Sequence, residues 1–153
     1  MSKSTKICIL SSAHADGDVR IFHKECVSLA QAGFETYMII PNAESRKEKG
    51  VNIIGVNGKY NSRFKRMTKT VMATYRSALS TRAKIYHFQD PELMPIGVLL
   101  KLRGNKVIYD VHEDVPVQIL DKKWLGPFFM RYMVSLSFRL FQWFCCLFFD
   151  HVF

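Results

Sequence analysis

Two short apolar runs, residues 84–88 (KIYHF) and 106–111 (KVIYDV), each break off into a cluster of histidine and carboxylate side chains, with about one short helix of sequence between them. Short apolar runs bounded by polar clusters read as strands buried on both faces. Two such strands joined through a helix lie parallel, with a right-handed crossover. This commits the chain to an α/β sheet. It also gathers the polar residues at the carboxyl ends of the strands, where open α/β sheets bind ligands.

The rest of the chain keeps the same rhythm. Residues 6–11 (KICILS) form a buried strand, followed by the loop AHADGD and a helix over 19–32 whose apolar positions Ile21, Phe22, Cys26, Leu29 and Ala30 share one face. Asp18 suits its N-cap and Gly33 its C-terminal turn. Residues 34–40 and 51–56 are further strands, and 42–50 is a polar loop. A long amphipathic helix spans 62–82, with Phe64, Met67, Val71, Tyr75 and Ala78 on one stripe. A helix over 93–102 joins the two opening strands. The order predicts a doubly wound parallel sheet. Residues 6–11 lie centrally, 34–40 on one side, and 84–88 then 106–111 on the other.

At 153 residues this is one domain, 48% hydrophobic and 23% charged, which excludes a disordered chain. The net charge of +9 sits entirely in residues 49–84, which hold nine Lys or Arg and no carboxylate. A solvated helix face accounts for such a window, and so does contact with an anionic partner, a phospholipid surface or a lipid diphosphate. Arg63, Lys65, Arg66 and Lys69 are then the membrane-binding candidates. Nucleic acid fits poorly, because no aromatic residues interleave as a stacking platform. Cys8, Cys26, Cys145 and Cys146 form no CxxC pair and no zinc spacing, as expected of reduced thiols. MSKSTK precedes an apolar run of only about four residues, so no secretory leader is expected.

Residues 127–149 are almost wholly apolar and aromatic, with Arg131, Ser135, Arg139 and Gln142 as one narrow polar stripe. An arginine at mid-span argues against a transmembrane helix. A helix buried between sheet and partner fits, as does one lying in a membrane interface. Residues 150–153 read as the start of another strand.

The candidate chemistry lies at the strand ends. The first loop lacks GxGxxG, which counts against a nucleotide-dependent redox protein, but Gly17 at a helix amino end suits a phosphate. Arg20 either reaches the same ligand or pairs with Asp16 or Asp18. Asp90 and Glu92 flank Pro91 as a helix cap and first turn would, and His87 reads as a core histidine. Asp110, His112, Glu113 and Asp114 are more ionisable groups than a turn requires. A histidine among carboxylates can serve as acid or base. The adjacent HED lacks a zinc motif's spacing.

The segments KICILSSAHADGDVRIFHKECVSLAQAGFETYMII (residues 6–40) and YHFQDPELMPIGVLLKLRGNKVIYDVHEDVPVQIL (residues 86–120) resemble family 4-type glycosyltransferases of the GT-B fold. The bacterial enzymes that build capsule, lipopolysaccharide and exopolysaccharide are the nearest in pattern. The marks are a histidine, then DPEL, GxLLK and KVIYDVHED, and the resemblance runs from Lys6 to Phe153. It implies retaining transfer of a sugar from a nucleotide-sugar donor, in a cleft between two Rossmann-like domains, with no metal or other cofactor. The amino-terminal domain mainly binds the acceptor, lipid-linked or glycan. The carboxy-terminal domain binds the donor and bears an E-x7-E motif.

By this resemblance His112 matches the catalytic histidine that reaches into the cleft. Gly17 matches the first loop near the donor diphosphate, although HADGD holds one glycine where many relatives have two. Glu113 and Asp114 carry over as substrate-binding residues, beside Arg20. No E-x7-E is present, so residues 1–153 are expected to be a truncated amino-terminal domain without its donor-binding half. Such a chain is expected to be inactive alone, whether a truncated reading frame, a fragment of a longer gene or one subunit of a split transferase with a separate donor-binding subunit; a non-enzymatic membrane- or partner-binding remnant is the alternative. The expected location is cytoplasmic, peripheral on the inner face of the cytoplasmic membrane.

Overall fold

The computed structural model describes residues 4–12, 19–58 and 63–153, with the side chains of all but 63–66. The strands are β1 (Lys6–Leu10), β2 (Glu35–Pro41), β3 (Arg46–Glu48), β4 (Val51–Val56), β5 (Ile85–Phe88), β6 (Lys106–Tyr109) and β7 (His151–Val152). They form one sheet in the order β3-β4-β2-β1-β5-β6-β7, parallel except where β3 meets β4. The strand order read from the sequence holds: β1 pairs with β2 on one side and β5 on the other, and β5 pairs with β6. The segment after residue 149 adds β7 beside β6.

Alternation along the strands divides the core. Cys8, Leu10, Ile39, Tyr86, Phe88, Val107 and Tyr109 point to one face. They pack there beneath three helices, α2 (Arg63–Thr81), α3 (Met94–Leu102) and α5 (Phe128–Cys146). Ile9, Met38, Ile40, Val51 and Ile53 point to the other. That face is covered by a π-helical segment, Val19–Cys26, which continues as the α-helix α1 (Val27–Gln31). The first helix thus differs from the regular α-helix expected over 19–32, though Ile21, Phe22 and Cys26 are buried as its periodicity required. Gly33 ends it at φ 92°. Asp18, the expected cap, lies outside the described residues.

One further expectation is corrected, and one element is new. The polar loop over 42–50 contains β3, folded antiparallel onto β4. Its two-residue turn has positive φ at both Lys49 (48°) and Gly50 (84°), the requirement of the tightest hairpins. Lys-Gly is a weaker signal for that turn than Asn-Gly, so the strand was hidden. The segment after HED carries a helix, α4 (Val115–Asp121), capped by Asp114, whose Oδ1 accepts from Val117 N at 3.1 Å. β-branched valines and Pro116 masked it.

The faces of α5 are turned against the usual rule. Two residues of its polar stripe turn inward, where the Ser135 hydroxyl donates to Pro116 O at 2.7 Å and Arg131 Nη1 donates to Leu120 O, while Arg139 is exposed. Phe138, Cys145, Cys146 and Phe149 complete that inner face. The opposite stripe, Phe129, Met133, Leu136, Leu140, Trp143 and Leu147, faces outward, each residue 38–71% exposed. The helix is amphipathic in reverse of the surface helix of a soluble domain. It is nevertheless anchored. Asp150 accepts from Lys101 Nζ at 2.6 Å and from Val107 N at 2.8 Å, and Lys101 first, then that N–H, holds its carboxyl below the usual range.

All four cysteines are free; three are buried and Cys146 is half-buried. Burial pushes the Cys26 thiol up to about 12.

Candidate functional site

β1, β5 and β6 lie next to one another in the sheet and run in the same direction, so the residues that follow them converge. Asp90, two residues past β5, is buried. Its Oδ2 accepts from Ser11 Oγ at 3.0 Å, Ser12 N at 2.6 Å and Ser12 Oγ at 3.2 Å. It occupies the N-cap position of the 3-10 turn Pro91–Leu93 but makes no side-chain cap bond. Its carboxylate instead fixes the exit of the chain from β1.

The second cluster surrounds Arg20. Its Nη2 lies 3.0 Å from His112 Nδ1 and 3.6 Å from Asp110 Oδ2, and its Nε is 4.0 Å from Glu25 Oε1. Glu25 accepts from Gln89 Nε2 at 2.8 Å and approaches His87 Nδ1 at 3.6 Å. One guanidinium thereby joins two histidine–carboxylate pairs. The π-helix makes this geometry: residues five apart lie together in an i→i+5 helix, whereas in an α-helix those that face each other are three or four apart.

Guanidinium nitrogens only donate, so His112 Nδ1 accepts and the ring proton of the neutral form sits on Nε2. Nε2 is 3.1 Å from Asp110 Oδ2, close enough for an ion pair but out of hydrogen-bond alignment. The His112 side chain is 20% exposed. His87 is more enclosed, with Nε2 buried and without a hydrogen-bond partner among the described residues. Burial lowers its pKa below the ordinary 6.5; the Asp110 charge opposes that shift, and His112 and Arg20 reinforce it. At neutral pH the ring is therefore uncharged.

In front of His112 opens a cavity of about 710 Å³ between α2, α4 and α5. Glu92, His112, Glu113 and Gln118 give it a polar wall, and Met67, Val71, Phe138 and Phe141 an apolar one. Carboxylate and amide groups beside an apolar surface suit a polyhydroxylated ligand, whose hydroxyls need acceptors and whose ring faces need cover. Among the described residues no three His, Cys, Asp or Glu side chains come together to hold a metal ion.

Of the residues singled out from the sequence, Asp90, Glu92, His112 and Glu113 line this cavity. Arg20 stands behind His112 as its partner. Asp114 turns to the backbone of α4 as its cap. Gly17 and the side chains of Arg63, Lys65 and Arg66 lie outside the described residues, and Lys69 is exposed on α2. Sequence reasoning passed over Asp110 and Glu25 as partners. Asp110 carried a signal, since residues two apart on an extended chain share a side. Glu25 carried none, because its pairing depends on the π turn.

No family model matches this sequence, and no curated protein does. Among solved structures, a sucrose-phosphate synthase from Thermosynechococcus elongatus has a similar fold, with a TM-score of 0.58 over 88% of this chain at 18% identity. The chain spans 40% of that protein's length. The likeness is one of fold, that of a Rossmann-like domain of the GT-B type. Among the described residues no helix is long and apolar enough to cross a membrane.

Proposed function

We propose that this chain is the acceptor-side half of a family 4-type retaining glycosyltransferase, moving a sugar from a nucleotide-sugar donor to a lipid-linked or glycan acceptor in bacterial surface-polysaccharide synthesis. The observation that carries this reading is His112, fixed between Arg20 and Asp110 on the wall of a cavity whose lining suits a sugar. The fold similarity supports it. As held, Arg20 and Asp110 occupy both ring nitrogens, so to meet the acceptor or take a proton the ring must turn from Arg20. The donor comes from a second domain or a separate donor-binding subunit, and holding both reactants together supplies much of the rate.

In an enzyme reconstituted with a donor-binding half, His112→Ala is expected to lower kcat by about a hundredfold, the loss of a positioned catalytic group. The thermal melt should stay close to wild type, because the ring is partly exposed. The 153-residue chain alone should bind acceptor without turnover. Unchanged kcat in the variant, or robust transfer by the chain alone, overturns the reading. The outward apolar stripe of α5 favours a second reading, a non-enzymatic membrane- or partner-binding module. That reading predicts no transfer even when a donor-binding half is supplied.

A further inference from the structure

The outward face of α5 is a large unpartnered apolar surface, and its surroundings specify the chemistry of what covers it. The stripe from Phe129 to Leu147 runs about 27 Å along the helix. Exposed Phe128, Met130, Tyr132 and Phe144 widen it to more than half of the circumference. A helix-to-helix seam is narrower than that. The charges that this segment itself carries have one sign. Residues 122–149 contain Lys122, Lys123, Arg131 and Arg139 and no carboxylate, and Lys122, Lys123 and Arg139 are exposed. A second copy docked on this face would bring like charges together. The nearest carboxylates in sequence are Asp121 and Asp150, and Asp150 is engaged by Lys101.

The aromatic residues point the same way. The protein has two tryptophans. Both Trp124 (72% exposed) and Trp143 (62%) belong to this region, the residue type that settles where hydrocarbon meets headgroups.

We propose that α5 lies in the plane of an anionic lipid bilayer, its outward stripe sunk among the acyl chains and Lys122, Lys123 and Arg139 at the phosphates. This places the membrane contact on a different element from the basic window over residues 49–84. It holds whatever the cavity binds.

The test uses the purified chain with vesicles of phosphatidylcholine alone or mixed with phosphatidylglycerol. Wild type should sediment with the anionic vesicles, and brominated lipid should quench its tryptophan emission. Phe129→Ser/Leu140→Ser/Leu147→Ser alters exposed positions only, so its melt should match wild type while its partitioning falls at least tenfold. Lys122→Gln/Lys123→Gln/Arg139→Gln should lose the preference for anionic over neutral vesicles. Wild type remaining in the supernatant, or a triple serine variant that sediments as well as wild type, overturns the proposal. So does a wild-type dimer that the serine variant dissolves without vesicle binding, which would make a second copy the occupant. Should the serine variant fold poorly, unquenched wild-type emission in brominated anionic vesicles would still refute the proposal.

Discussion

His87 is the residue whose burial has the clearest consequence in solution. Its ring is neutral when folded and has an ordinary pKa of 6.5 when unfolded. Glu25 lies beside it; burial outweighs the opposing charge of Asp110, and His112 and Arg20 act in the same direction as burial. Below 6.5 the unfolded chain therefore binds a proton that the folded chain refuses. Stability is full above that pH, falls as pH drops toward the lower folded value, and levels off once the folded ring protonates too. Thermal melts from pH 7.5 to 5.5 should show this loss in wild type and a flatter profile in His87→Gln. The sequence showed His87 as a core histidine and His112 as a strand-end candidate because strand periodicity fixes both positions. Asp90 holds the N-cap position read for it, but the partners of its carboxylate were not legible, because its bonds to Ser11 and Ser12 bridge parts of the chain far apart in sequence.

At the level of elements, α3 sits tightly on the sheet through a glycine. A Cβ at Gly97 would lie 2.7 Å from Phe88 Cε1 and 3.0 Å from Phe149 Cε1. Both rings are locked, with Phe88 stacked on Tyr109 at 5.0 Å between centroids and edge-on to Phe149 at 5.5 Å. Gly97→Ala must therefore move packed aromatic rings, and the higher helix propensity of alanine does not compensate. A loss of about 1–3 kcal/mol is expected in urea unfolding. Strongly periodic elements, the five main strands and the helices over α2, α3 and α5, were legible. α4, β3 and the π turn were not, since each depends on a cap, a turn or an extra residue rather than on a period. The length of α5 was legible and its orientation was not. Apolar residues ordinarily face the core, and here Arg131 and Ser135 turn toward it while a long apolar stripe stays outside.

For the whole molecule, the division of helices between the two faces matters most. α2, α3 and α5 share one face, so the basic helix and the apolar helix flank the same cavity. The native protein therefore carries an apolar surface beyond what a soluble monomer usually exposes. It should bind an environment-sensitive apolar dye at neutral pH while retaining a cooperative melt and near-ultraviolet dichroism, which separates it from a molten globule. Dye binding that appears only when the tertiary signal is lost would refute this. Sheet order and site location followed from the sequence through crossover handedness and the rule of strand ends. What covers the outer face did not, because the apolar count of a helix does not say which way it turns.

The π-helical turn has a consequence for how this chain tolerates change in length. Between Arg20 and Glu25 it carries one residue more than an α-helix needs to bring the same two side chains together. Removal of an exposed residue between them, His23 or Lys24, restores the four-residue spacing at which an α-helix aligns such a pair. Ile21, Phe22 and Cys26 would stay on one face as well. Elsewhere in a helix the loss of one residue swings everything before it by about 100°. Here the irregularity acts as slack, and a homologue one residue shorter could present the same arginine to the same histidine.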